Sequence, residues 1–136
     1  MNIGEYTITV NRELEFVHVI ARGEFPASLG EEMITKARKT AAQLRYPILC
    51  DVRESVAKVS LADWFMLPRR LWVYINAETR GVRTAIVVNP GNQEKVYRFF
   101  ETVTFNLGLR IRIFLKEEAA KEWLATLVRD APKQPD

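Results

Sequence analysis

Apolar and polar residues alternate along Glu5–Val10, with the two-residue period of a strand that has one buried face. A turn at Asn11 and Arg12 separates this segment from Leu14–Arg22, which is rich in Val, Ile and Phe. So short a connection joins neighbouring strands in antiparallel orientation. The chain is therefore predicted to begin with a β-hairpin.

Later segments carry apolar residues every three or four positions, which is the spacing of a helix with one buried face. One of these segments contains Pro68, which either kinks a continuous helix or begins a second one. The predicted helices are one that Ser28 caps and that reaches Leu44, then Ser60–Asn76, Asn92–Leu107 and Lys116–Val128.

Short apolar segments between these helices are predicted strands. Pro47–Cys50 forms one that ends at Asp51, and Val82–Val88 forms another that is apolar on both faces, as in strands covered on both sides. Leu109–Phe114 alternates apolar residues with arginines and is predicted to lie near an edge of the sheet.

The predicted order ββαβαβαβα defines an α/β fold with a mixed sheet of about five strands and an antiparallel hairpin at its N-terminus. A chain of 136 residues with 48% apolar composition fits one compact domain. We expect this domain to cover residues 1–129 and residues 130–136 to form a flexible tail.

Composition excludes several classes of site. One cysteine, Cys50, and one histidine, His18, exclude a disulfide framework, a cysteine-rich zinc site and a multi-histidine metal centre within one chain. Both are expected to be structural residues, and no metal or cofactor is predicted. The chain has no signal-peptide pattern and no long apolar window, so we expect a cytoplasmic protein without a transmembrane segment.

The element order and three local patterns give the chain a resemblance to a known superfamily. The patterns are the strand PILCDVRE, the strand RTAIVVNP and the closing arrangement of Phe114, Ala120, Trp123 and Leu124. Together they resemble the STAS-like superfamily, which includes sulphate transporter and anti-sigma-factor antagonist domains, over nearly the whole chain. The chain is most similar to a divergent bacterial branch of largely unassigned role, and more distantly to lipid-binding Sec14-type domains.

The resemblance implies a non-enzymatic module that binds protein partners. In phosphorylated antagonists, the strand ending in Asp is followed by an Asp-Ser-Ser-Gly helix start that carries the modified serine. The matching stretch here is Lys58–Asp63, in which Ser60 alone matches, one position from the usual acceptor. The candidate phosphorylation or partner site therefore comprises Asp51, Arg53, Ser55, Ser60, Asp63 and Asn89.

The position of these residues also follows from the predicted fold. Asp51 and Asn89 end two strands predicted to be parallel, so both should lie at the carboxyl edge of the sheet, where open α/β folds place their sites. A phosphate on Ser60 would lie at a helix N-terminus, with Arg53 as a candidate partner. The alternative is that Asp51 and Ser60 only satisfy main-chain amides of the loop and the helix end.

The most apolar stretch of the chain is residues 61–75. A helix apolar on more than one face either buries both faces or presents one to a partner or ligand. The sequence leaves open a core segment, a homodimer seam, and a small-molecule or lipid carrier with an apolar pocket. The residues proposed for such a surface or pocket are Trp64, Phe65, Leu71, Trp72, Phe99 and Phe100.

Basic and aromatic residues interleave in the second half of the chain, as on nucleic-acid-binding surfaces. They are Arg69, Arg70, Arg80, Arg83, Lys95 and Arg98, with Trp72, Tyr74, Tyr97 and Phe99. Amphipathic helices produce the same pattern, and the net charge is only +3, so nucleic acid is not expected as a partner. The sequence also contains no coherent set of catalytic groups, and no enzyme is predicted.

Overall fold

The structure is a computed structural model that describes residues 3–72 and 81–130. Its elements follow the predicted order. The strands are β1 (Glu5–Asn11), β2 (Phe16–Pro26), β3 (Ile48–Lys58), β4 (Arg83–Val87) and β5 (Arg110–Phe114). The helices are α1 (Ala27–Leu44), α2 (Leu61–Trp72), α3 (Asn92–Asn106) and α4 (Glu117–Asp130). Residues 73–76 of the predicted second helix and residues 131–136 of the predicted tail lie outside the described residues.

The five strands form one sheet in the spatial order β1-β2-β3-β4-β5. β1 pairs with β2 in antiparallel orientation, and each later neighbour pair is parallel. The predicted α/β class, mixed sheet and N-terminal hairpin are thus confirmed. Parallel neighbours require a crossover between them, and α1, α2 and α3 supply the three crossovers from β2 to β5.

Each face of the sheet has its own apolar core, because successive side chains of a strand point to opposite faces. The side chains of Cys50 and of its neighbours in register on β2 and β4, Val19 and Ile86, point to the face covered by α1 and α3. Helix α2 packs against both α1 and α3. Leu49 belongs to a smaller cluster that α4 covers. We call these the α1–α3 face and the α4 face. Within the described ranges, no helix has the length and apolar composition needed to cross a membrane.

Strand β3 is longer than predicted. The apolar run ends at Asp51, but the strand continues to Lys58 because β2 continues beside it as far as Pro26. Asp51 is paired with Val87, the last residue of β4, so it marks the end of β4 and not the end of β3. β3 also contains one extra residue between its pairings with Ile20 and Arg22, which is a β-bulge.

The start of α1 also differs from the prediction. The helix begins at Ala27, directly after β2, and Pro26 occupies the N-cap position without a side-chain hydrogen bond. The Ser28 cap is therefore wrong: the sheet pairing of Pro26 with Lys58 brings the helix start forward, so Ser28 falls inside the first turn.

Cys50 lies in the core of the α1–α3 face. Burial raises the pKa of its thiol to about 12, so the thiolate needed for nucleophilic chemistry is not formed at neutral pH. Burial likewise raises the pKa of Tyr97, whose ring packs edge-on against Trp64 at 5.1 Å between centroids. His18 is paired with Leu49, whose side chain lies on the α4 face, so the sheet separates His18 from Cys50.

Cys50→Ala should reduce the loss of stability at alkaline pH. The unfolded thiol ionises near pH 8.5 whereas the folded thiol stays protonated, so stability is complete below the unfolded pKa and falls as the pH rises towards 12. Between pH 7 and pH 10 the thiol accounts for roughly 1–2 kcal/mol of this fall. Urea denaturation of both proteins at the two pH values measures it. An equal fall in both proteins would contradict the assignment.

Candidate functional site

The candidate site lies where β4 ends and β3 continues. Asn89 follows β4 and its side-chain amide donates a hydrogen bond to the carbonyl oxygen of Arg53 at 2.9 Å. This contact brings Asn89 next to the segment that contains Asp51, as expected for two strands that are parallel. Asp51 and Asn89 thus lie close together beside the end of β4, although β3 itself continues to Lys58.

Asp51 and Arg53 form a closed ion pair. The Asp51 carboxylate accepts hydrogen bonds from the Arg53 main-chain N–H and Nε at 3.0 Å and from a terminal guanidinium nitrogen at 2.8 Å. Burial opposes ionisation of Asp51, but these hydrogen bonds outweigh it and hold its pKa below the usual range. The pair therefore satisfies both charges within the chain.

Arg53 points towards α4. The same guanidinium lies 3.6 Å from the Glu117 carboxylate, and Glu117 in turn pairs with Lys121 at 3.2 Å. Ser60 precedes α2, which packs on the opposite side of the sheet with α1 and α3. The proposed pairing of Arg53 with a phosphate on Ser60 is therefore not supported, because Arg53 is engaged on the α4 face.

Gln93 is a site residue that the sequence analysis missed. Its side-chain oxygen accepts the main-chain N–H of Asn89 at 2.6 Å, and its side-chain nitrogen donates to the carbonyls of Val52 at 2.8 Å and Ser55 at 3.3 Å. These bonds replace the strand partner that β3 loses where β4 ends. The turn Asn89-Pro90-Gly91, in which Gly91 has a φ of +96°, precedes Gln93, but the sequence of this turn does not indicate the contacts of Gln93 with β3.

Ser55 does not join Asp51 at the surface. Its side chain is buried, and its hydroxyl donates to the Val52 carbonyl at 2.7 Å. The bulge in β3 lies just before it, and its side chain lines a cavity on the α1–α3 face. Ser55 is thus enclosed by the core, although the sequence placed it in an exposed loop.

Ser60 is exposed at the start of α2. Its hydroxyl oxygen accepts the main-chain N–H of Asp63 at 3.1 Å, which is the geometry of a helix N-cap. Asp63 lies in the first helical turn, where a negative charge favours the helix dipole. The capping alternative therefore applies to Ser60, but the hydroxyl still faces solvent.

The predicted apolar group divides into two sets. Trp64 and Phe100 are buried and pack edge-on at 5.8 Å between ring centroids. Phe65 is 44% exposed and Phe99 is 38% exposed. The side chains of Leu71 and Trp72 lie outside the described residues. The sequence analysis grouped buried and exposed residues together, because the apolar face that it assigned to the helix was wide enough to include both Trp64 and its neighbour Phe65.

A cavity of about 70 Å³ lies between the sheet and α1–α3. Trp64, Leu67, Tyr97 and Phe100 are among the side chains that line it. Pockets for drug-sized ligands have volumes of roughly 300–1,000 Å³. The cavity is therefore too small, in this conformation, for the lipid or large apolar ligand of the carrier hypothesis.

Among the described residues, the basic and aromatic side chains do not form one continuous surface. Tyr97 packs inward against Trp64, and Arg98 pairs with Glu94 at 3.3 Å and with Glu101 at 3.7 Å. Arg69 lies over the Phe65 ring at 4.9 Å. The side chain of Arg70, and the whole of Tyr74 and Arg80, lie outside the described residues.

Replacing Gln93 with Ala should lower the free energy of unfolding by roughly 1–3 kcal/mol. The Ser55 carbonyl and the Asn89 N–H lose their bonds to the Gln93 side chain, and the Val52 carbonyl loses one of its two side-chain donors but keeps the Ser55 hydroxyl. Asn92→Ala is the matched control, since Asn92 is exposed one residue earlier in the same helix turn. Chemical denaturation monitored by tryptophan fluorescence measures both variants. Equal stability of the two variants would contradict the role assigned to Gln93.

Comparison with known proteins supports the fold. No protein-family profile and no curated protein matches the chain. The chain is similar to an uncharacterized protein of the DUF3478 family with a SpoIIAA-like fold from Shewanella loihica PV-4, at 21% identity and TM-score 0.61, covering 91% of this chain and 97% of that one.

It is also similar to the anti-sigma factor antagonist SpoIIAA in its unphosphorylated form, at 16% identity and TM-score 0.50, covering 93% and 99% of the two chains. At such identities a structural likeness is a likeness of fold. The chain therefore has a SpoIIAA-like fold, as the STAS-like resemblance of its sequence implied.

Proposed function

We propose that the protein is a non-enzymatic regulatory module that binds a protein partner through the start of α2 and releases it when Ser60 is phosphorylated. The observation that carries this proposal is an exposed hydroxyl at a helix N-terminus beside exposed apolar side chains. We define the α2 surface as the exposed residues Ser60, Ala62, Phe65, Met66 and Arg69.

The α2 surface has the composition of a protein-binding patch. Phe65 and Met66 are 44% and 43% exposed, and large apolar side chains exposed together mark interaction sites more often than free solvent. The guanidinium of Arg69 lies 4.9 Å from the centre of the Phe65 ring, which restrains both side chains before a partner arrives. Aromatic residues, Met and Arg are the types enriched in the cores of protein interfaces.

The other polar groups of the site favour binding over catalysis. Arg53 pairs with Asp51 and also lies close to Glu117, and its hydrogen bonds keep the pKa of the Asp51 carboxyl low, so Asp51 is not poised to donate a proton. Cys50 is protonated in the core of the α1–α3 face, whereas His18 lies in register with Leu49 of the α4 face, so the two cannot form a nucleophile and base pair. Within residues 3–72 and 81–130, no group of His, Cys, Asp and Glu has the arrangement of a metal site.

Ser60 is the serine best placed for a switch. The chain contains three serines, of which Ser55 is buried and Ser28 lies inside the first turn of α1 and not at an N-cap. A phosphate on Ser60 would add nearly two negative charges at a helix N-terminus, which the helix dipole tolerates. The same charges beside Phe65 and Met66 would oppose burial of an apolar interface.

Ser60→Asp should weaken partner binding without unfolding the chain. Asp and Asn both cap helices well, so Ser60→Asn is the uncharged control that retains the cap. Thr126→Asp carries the same charge at an exposed position on α4, on the opposite face of the sheet from α2. We expect a host protein that binds wild type, Ser60→Asn and Thr126→Asp, and that binds Ser60→Asp about tenfold more weakly or worse.

The measurement is quantitative capture from a lysate of the protein's own host on the four immobilised proteins, followed by titration of the recovered partner. Phe65→Ala tests the apolar half of the surface and should weaken the same partner. The proposal fails if Ser60→Asp binds as well as wild type, or if the captured protein is insensitive to Phe65→Ala. Intact-mass analysis of the protein from its host reports whether the phosphorylated form exists.

A further inference from the structure

A groove at the outer edge of β5 is separate from the α2 surface. Its volume is about 720 Å³, and its floor includes Ile111 of β5. Three arginines line it: Arg83 from β4, and Arg110 and Arg112 from β5. Phe105 and Trp123 contribute aromatic surface, and Phe105 is 75% exposed.

The three arginines share one face of the sheet. Arg83 is the direct cross-strand partner of Arg110, and Arg112 lies two residues further along β5. Like charges directly opposite one another on neighbouring strands destabilise a sheet. Partial burial and the charge of Arg110 both lower the pKa of Arg83, in that order. An anionic partner in the groove would relieve this repulsion.

No acid of the described chain neutralises these arginines. The salt bridges formed within residues 3–72 and 81–130 include none with Arg83, Arg110 or Arg112. Glu101 lines the groove, but its carboxylate accepts the Ile113 N–H at 2.6 Å and lies 3.7 Å from Arg98. Arg112 is held over the rings of Phe114 and Trp123, at 5.5 and 5.9 Å from their centres.

The groove also exposes main-chain groups of an edge strand. Alternate residues of β5 direct their N–H and C=O towards β4 and away from it. The main-chain N–H and C=O of Ile113 point away from β4, but Glu101 accepts the N–H and Arg98 donates to the C=O, both from α3. The Thr104 carbonyl likewise accepts the N–H of Leu109. The N–H and C=O of Ile111 also point away from β4, because Ile111 lies two residues before Ile113. No residue of the described ranges bonds to either group.

We propose that this groove binds an extended acidic segment of a partner protein, which pairs with the main chain of Ile111 and places its carboxylates against Arg83, Arg110 and Arg112. Successive side chains of an extended segment point to opposite faces. In a segment that alternates acidic and apolar residues, the acidic side chains would therefore face the arginines and the apolar ones would face Phe105. Carboxylates bind guanidinium groups through two parallel hydrogen bonds, which favours a peptide rich in Asp or Glu.

The paired carboxylates of the described chain are not arranged as an extended acidic segment. The chain's paired carboxylates, Glu31–Glu32 and Glu117–Glu118, lie on helices, which are not extended. Glu13 and Glu15 alternate with Leu14, but they lie in the turn between β1 and β2. Docking of that turn from a second copy is the competing occupant.

Fluorescence anisotropy with a fluorescein-labelled nonapeptide of alternating Glu and Val tests the proposal. We expect saturable binding that weakens at least tenfold in Arg110→Glu and in Arg112→Glu. Arg12→Glu is the matched control, because it makes the same change of charge at an exposed residue of the hairpin turn and should change binding less than twofold. Ser60→Asp should also leave binding unchanged, which separates this groove from the α2 surface.

Two further probes separate strand pairing from simple charge attraction. An otherwise identical peptide with a methylated central amide should bind at least fivefold more weakly, and a peptide of alternating Lys and Val should not bind. In the wild-type protein, amide NMR spectra should show the Ile111 N–H among the most shifted signals. Equal binding of the methylated peptide, equal losses in Arg12→Glu and Arg110→Glu, absence of saturable binding, or self-association that the peptide displaces would each overturn the proposal.

Discussion

Strand β3 continues for seven residues beyond Asp51, where its neighbour β4 has ended, and its main-chain carbonyls on that side must find other partners. A buried carbonyl without a donor costs roughly 1–3 kcal/mol. Asn89 and Gln93 supply donors to Arg53, Val52 and Ser55 through their side-chain amides. This requirement attaches the turn after β4 to β3, and so determines where α3 begins and how the end of the sheet is closed.

The bulge in β3 decides which polar groups at this end remain available. Arg53 lies two residues after Asp51 and so faces α4 with it, where Asp51 and Glu117 satisfy its guanidinium, whereas the extra residue directs Ser55 into the core. A strand that continued without the extra residue would reverse the facing of every later side chain. The start of α2 stays accessible, because the Ser60 hydroxyl caps the helix and its side chain remains exposed to solvent.

Periodicity and turn residues were sufficient to predict the element order, the sheet type and the hairpin, because each depends on local spacing and connection length. They failed at the end of β3, because the seven residues after Asp51 are strand only through pairing with the extension of β2, which is not local. The same failure misplaced Ser55. Gln93 was missed because a side chain that bonds carbonyls about forty residues earlier leaves no pattern in a single sequence.

The two proposed binding surfaces lie at opposite ends of the parallel strands. Arg83 and Arg110 begin β4 and β5, whereas Ser60 follows β3 beyond the point where β4 ends. β4 alone spans roughly 13 Å from Arg83 to Val87, which exceeds the Debye length of about 8 Å at physiological ionic strength. A phosphate on Ser60 therefore cannot neutralise the arginine groove through space. Under the two proposals, one partner would therefore stay at the groove while the other is released at α2, and coupling between them would require a change in the sheet itself.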